Sequence, residues 1–229
     1  MLQQHLQWNV ARLAFVSTFL IALMRVKTVN LAEIATGFSG KAKVESHYKR
    51  LQRFFRNFEV DYESIALTVA RVMNIPEPWV ISIDRTDWQF DKTVFNVLLT
   101  LGAIETLFGC FKTRGFCLES THLQDSQRLS KLIALLTLAL CWAFSSGLWL
   151  SQLNPLNLKK HGRLPKSIFR IGFDFLRHII FDLHLNSQAF FNSIKFLSCT
   201  YDEQTFVTPI AFTHPQDHRS IDSRSQFQP

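Results

Sequence analysis

Residues 79–116 read WVISIDRTDWQFDKTVFNVLLTLGAIETLFGCFKTRGF, and their reading decides how the chain is divided. Val80, Ile81 and Ile83 give the opening run strand character, because β-branched side chains pack well on a pleated, half-buried surface. Asp84 stands inside that run, where a carboxylate is costly to bury without a partner or a metal ion. The residues alone leave two readings of it: a site carboxylate, or an acid at a strand end that turns the chain. Strands are expected over 79–90 and 93–101. Asp91 falls at the turn between them, where acids are common for structural reasons. Alternation puts Asp84 and Thr86 on one side of the first strand, and Arg85 and Asp87 on the other. Glu105 then opens an amphipathic run with Phe108 and Lys112 along the same side. An acid near a helix N-terminus and a base near its C-terminus are each favourable on dipole grounds alone, so this pair too has a purely structural reading.

Working outward, a length of 229 residues allows one large or two modest domains with a real core. The formal net charge of +7 favours an anionic partner such as nucleic acid without identifying one. Phe is unusually frequent at 22 residues while Gly (8) and Pro (7) are sparse, which is not a disordered composition. Cys110, Cys117, Cys141 and Cys199 lack CxxC spacing. Free thiols in a reducing, cytoplasmic setting are therefore expected rather than a zinc site. No GxGxxG or GxxxxGK[ST] loop is present. The opening MLQQHLQWN has no basic region of the kind that begins a secretory signal. Two apolar segments, 13–26 and 132–144, fall short of the roughly 20 residues a membrane helix needs. Ser17 and Thr18 interrupt the first, and Ser145, Ser146 and Gly147 are expected to break the second. Buried core helices and no membrane partner are the expectation.

Residues 1–75 read as a helical domain. Leu13, Val16, Leu20, Leu23 and Met24 recur at three- and four-residue intervals and mark one buried face. Asn30 is placed to cap LAEIATGF, with Glu33 completing a capping-box-like pattern. Gly37, Ser39 and Gly40 break the chain, and ESHYKRLQRFFRNF follows with Tyr48, Leu51, Phe54, Phe55 and Phe58 on its apolar side. Short helix, glycine-containing turn and basic helix form a helix-turn-helix-like order. Lys41, Lys43, Lys49, Arg50, Arg53 and Arg56 face only one acid, Glu45, in this segment. Lys49, Arg53 and Arg56 fall together on a helix, with Arg50 at the edge. Such a stripe can neutralise phosphates while His47 or Gln52 reaches base edges. A solvated amphipathic helix would show the same pattern.

A further helix is expected over 61–73, capped by Asp61, with Ile75-Pro76-Glu77-Pro78 marking a boundary. Asp125 should cap a long helix over 126–144 that packs a Leu-rich face on the sheet, with Arg128 and Lys131 near DNA or simply solvated. Lys159, Lys160, His161 and Arg163 form a basic linker-like cluster. Pro165 fits the start of a helix whose buried stripe is Phe169, Phe173, Leu176 and Ile180. From residue 200 the chain is polar and aperiodic, and an ordered structure is not expected there.

SIDRTDWQF and IETLFGCFKTRGFCLESTHLQDSQRLSKLIALLTLALCWAF resemble the first and last catalytic blocks of bacterial insertion-sequence DDE transposases of the insertion sequence 4 type. The resemblance runs from about residue 6 to about residue 195. It implies a mainly α chain with a small β-sheet: a helical N-terminal DNA-binding domain (1–75), a truncated RNase H-like core (76–150), a C-terminal basic, amphipathic helical region (151–199) and a tail (200–229). It also implies Asp84 and Glu105 as metal ligands, Lys112 as a phosphate contact, and a loop carrying Arg114 that contacts DNA. Mg²⁺ is the cofactor of intact relatives, transposon-end DNA the partner, and pairing with a second copy or an intact relative a further implication. Two departures stand out. The fuller signature Tyr-x2-Arg-x3-Glu-x6-Lys would need Tyr at position 98 and Arg at 101, where this chain has Leu98 and Leu101. The long insert that carries the second catalytic Asp in the family has no counterpart between the blocks. The resemblance therefore implies an internally deleted copy without strand cleavage, or a DNA-binding protein that occupies transposon ends as an inhibitor.

Overall fold

The structure, a computed structural model, describes residues 6, 8–73, 83–90, 93–100, 110–111, 115–154 and 165–197, and for 83–90 and 93–100 the backbone only. The chain is mainly helical, with seven α-helices among the described residues: α1 (Val10–Val26), α2 (Leu31–Gly37), α3 (Val44–Asn57), α4 (Tyr62–Val72), α5 (Ser126–Leu153), α6 (Ile168–Phe181) and α7 (Ser187–Lys195). Two strands, β1 (Ile83–Phe90) and β2 (Thr93–Thr100), pair antiparallel in a register that sets Asp84 opposite Leu99 and Phe90 opposite Thr93.

The helix starts follow from side chains that satisfy the first free N–H groups. Asn9 Oδ1 accepts from Arg12 N at 2.9 Å, Asn30 Oδ1 from Ala32 N at 2.9 Å, Asp61 Oδ1 from Ser64 N at 3.2 Å and Asp125 Oδ1 from Arg128 N at 2.8 Å. The Asn30, Asp61 and Asp125 caps are those the sequence predicts. Glu33 does not complete the box, because the Asn30 N–H donates to Thr28 Oγ1 at 3.2 Å. Nor does Pro165 open α6: Ser167 caps it, accepting from Arg170 N at 3.3 Å, and the first helical residue is Ile168.

One apolar core is shared by the whole helical assembly. Leu13, Val16, Leu20, Leu23 and Met24 of α1 are buried, as are Phe169, Phe173, Leu176 and Ile180 of α6, so both predicted stripes face inward. α1 and α3 meet through rings. Phe15 stacks on Phe54 with centroids 4.4 Å apart, Phe54 lies 4.8 Å from Phe58, and Trp8 meets Phe58 edge-on at 5.0 Å. Burying each large side chain contributes about 1.5–3 kcal/mol, and well-placed ring pairs somewhat more. This aromatic seam fixes which face of α3 remains for solvent.

The long helix differs from expectation in three ways. Its principal partner is α6, with α4, α1, α3 and α7 also against it, rather than a sheet. It does not break at Ser145–Gly147 but runs on to Leu153, so the boundary expected at residue 150 falls inside a continuous helix. Ser146 Oγ returns its proton to Trp142 O at 2.8 Å, and Gly147 is where α6 crosses. A Cβ on Gly147 would lie 2.0 Å from Ile168 O, and one on Gly172 would lie 1.8 Å from Ala143 O. The two backbones are in contact there. α5 is long and apolar enough to cross a membrane by length and composition, yet 72% of its most apolar window is buried by the rest of the protein.

Candidate nucleic-acid interface

The helix-turn-helix order is present: α2, a turn through Ser39 and Gly40, then α3. Gly40 adopts φ +129°, a conformation only glycine takes without strain. Arg25 of α1 holds this turn, its Nη1 donating to Gly37 O at 3.1 Å and to Ser39 Oγ at 2.8 Å. The angle between α2 and α3 is thereby tied to α1.

With Leu51, Phe54 and Phe55 buried, the opposite side of α3 is exposed and carries Lys49, Gln52, Arg53 and Arg56. These four line one shallow depression, as their spacing requires: at 3.6 residues per turn they span an arc of about 100°. Among the described residues none of the three cations is in an ion pair; Arg53 Nε donates to the Lys49 carbonyl at 3.4 Å. Lys41 and Lys43 are exposed in the turn and at the N-cap of α3, where Lys43 makes no side-chain cap. Like charges gathered with a single acid, Glu45, on a solvated helix form a surface that counter-anions must screen, and a phosphate backbone is such a counter-anion.

Arg50 is exposed, but its guanidinium lies over the Phe15 ring, 5.1 Å from the centroid. Arg12 of α1 does the same over Phe58 at 5.0 Å. Arg12, Arg50 and Arg53 line a second groove beside the first. Sequence reasoning missed Arg12, because 38 positions separate it from Arg50 and only the ring seam brings the two helices together.

His47 is a correction. It is 8% exposed, its ring 5.3 Å from that of Phe38, and its Nε2 has no hydrogen-bond partner. It belongs to the core side of α3 and cannot reach a base edge without leaving it. Lys131 is another: it is buried, and its ammonium donates to the Phe55 carbonyl at 3.2 Å, near the end of α3. That bond completes a helix C-terminus and lies away from solvent.

Of the residues assigned to catalysis, Asp84 lies on β1 opposite Leu99, while Glu105 and Lys112 lie outside the described residues, as do Arg114, the 159–163 basic cluster and the 200–229 tail. Among the described residues no group of three His, Cys, Asp or Glu side chains is placed to hold a metal ion. Cys117 and Cys141 are free thiols. Burial pushes the Cys141 thiol up to about 12, which leaves it a poor nucleophile. Lys27, at the left-handed end of α1, is held below the ordinary lysine range by burial and then by the neighbouring Arg177 and Arg170 guanidinium groups.

No family model matches this chain, and neither a curated protein nor a solved structure matches it.

Proposed function

We propose that this chain is a DNA-binding protein of the insertion-sequence transposase type, which holds transposon ends through α3 without cutting them. The observation that carries the reading is the exposed Lys49–Gln52–Arg53–Arg56 face of α3, where three cations share the surface with one acid, Glu45 in the first turn, and where an aromatic seam packs the opposite side into the core. On this reading the β1–β2 hairpin is the opening of a truncated RNase H-like core. Asp84 and Glu105 are what remains of its metal site.

The residues present do not fit a pair of Mg²⁺ ions. β2 ends at Thr100 and Glu105 follows five positions later, which leaves no room for the strand that would bring a middle carboxylate. Two-ion phosphoryl transfer needs bridging acids that hold the metals roughly 4 Å apart. Binding in this chain is accordingly separated from chemistry, and occupation of ends in competition with an intact relative is its natural consequence.

The test is anisotropy titration of a labelled duplex carrying an element end, over a range of salt, with the parent and with the Lys49→Ala/Arg53→Ala double variant. Each lost phosphate contact should flatten the slope of log K against log salt by about 0.9. The expected outcome is weaker binding with a slope flatter by one to two contacts. Unchanged affinity with an unchanged slope would remove α3 from the interface.

A further inference from the structure

Where α3 meets the start of α5, a cleft of about 170 Å³ opens. That is an order of magnitude more than the ~10–15 Å³ one water needs, and well below the roughly 300–1,000 Å³ of sites that engulf whole ligands. Its polar wall comes from separate elements: Tyr48, Gln52 and Arg56 of α3, His122 of the loop before α5, and Arg128 of the first turn of α5. No Asp or Glu lines it. Of the acids nearest in sequence, Glu33 follows the lining residue Ala32 and is exposed, and Asp125 is engaged in capping α5 through the Arg128 N–H. Arg128 is half-buried and Arg56 exposed.

A second observation points the same way. The buried Lys131 ammonium carries three N–H groups, and its one hydrogen bond among the described residues goes to the carbonyl of Phe55, a residue that also lines the cleft. A buried cation with no carboxylate partner is expensive to maintain, and an anion seated nearby offsets that cost.

We propose that this cleft seats one phosphate group, held between the Arg56 and Arg128 guanidinium groups with Tyr48 and His122 as further hydrogen-bonding partners. Gln52 and Arg56 belong both to the cleft and to the exposed α3 face, so the two surfaces are continuous. A backbone phosphate of DNA lying along α3 is the source that continuity favours, and in this respect the inference rests on the proposed function. A free phosphate compound presents the same chemistry.

Two arms separate the sources. In the first, the salt dependence of DNA binding is compared for the parent, Arg128→Gln and Arg128→Lys. Loss of one phosphate contact should weaken binding severalfold and flatten the slope by about 0.9 in Arg128→Gln, with the slope kept in Arg128→Lys. In the second, inorganic phosphate is titrated into the parent without DNA while the His122 and Arg128 side-chain resonances are followed. Saturable shifts that vanish in Arg128→Gln are expected. Phosphate shifts with an unchanged DNA slope would uphold the seat and assign it to a free phosphate ligand. No shift and no slope change would overturn it, even where Lys49→Ala/Arg53→Ala still weakens DNA binding. If that double variant binds DNA as the parent does, the α3 reading falls and the phosphate titration alone decides the cleft. Should Arg128→Gln fail to fold, the parent titration and Arg56→Gln, at an exposed residue, take its place.

Discussion

His47 stands four residues before Leu51 and seven before Phe54, on the buried stripe of α3. Its spacing therefore announced burial while its chemistry suggested a base contact; the period was the better guide, since one helix face cannot serve both core and groove. Lys131 repeats the lesson, falling four and seven residues before Leu135 and Leu138, both buried. Lys49, Arg53 and Arg56 show the converse, with charge and period agreeing and the structure leaving all three exposed. An orphaned polar atom in the core costs about 1–3 kcal/mol, and an apolar group of similar shape removes that cost. His47→Phe should accordingly leave DNA affinity unchanged and raise the melting temperature, measured by anisotropy and by thermal unfolding. Weakened DNA binding in a folded His47→Phe protein would put the imidazole back at the interface.

Caps and faces were legible at the level of elements because both are local: an Asn or Asp before an apolar-periodic run has one best use. The path of α5 was not. Ser145-Ser146-Gly147 reads as a helix break, yet in context it supplies the small surface against which α6 lies, with Ala143 and Gly147 one turn apart facing Gly172. The signal available was that four-residue spacing together with a single glycine inside the apolar 168–181 run, and it becomes decisive only once both helices are known to cross. Close backbone approach makes this crossing intolerant of added volume. Gly172→Ala would force a methyl to within 1.8 Å of the Ala143 carbonyl oxygen, so α5 and α6 must separate or shift. Overpacking of this kind costs about 1–3 kcal/mol, or a fall of several degrees in melting temperature for a chain of this size. Thermal unfolding followed by circular dichroism measures it. An unaltered melting temperature would mean the helices cross elsewhere.

For the whole molecule, the excess of positive charge and the arrangement of two sequence blocks pull toward the same reading from independent directions. The charge concerns binding and resides on α3, with Arg12 and Arg128 brought alongside by folding. The blocks span 82–90 and 104–144 and bear on chemistry in the proposed reading; of them 83–90, 110–111 and 115–144 are described. What the sequence made legible here is an absence. After Thr100, where β2 ends, only four residues precede Glu105, and a strand bearing a middle Asp cannot be built from them, since strands run to about 5–6 residues before any turn is counted. Asp125 is committed to the cap of α5, so it is not placed to substitute. Two-ion catalysis concentrates its rate enhancement in an aligned pair of metals that stabilise attacking and leaving oxygens together. A site left with two carboxylates should lose nearly all of it. Purified protein is therefore expected to bind a supercoiled plasmid carrying the element's ends and to leave it supercoiled with Mg²⁺ or Mn²⁺, as read on an agarose gel. Asp84→Ala and Glu105→Ala serve as controls. Nicking by the parent that both substitutions abolish would show that another acid completes the site, whereas nicking that survives both would identify a contaminating nuclease and leave the expectation intact.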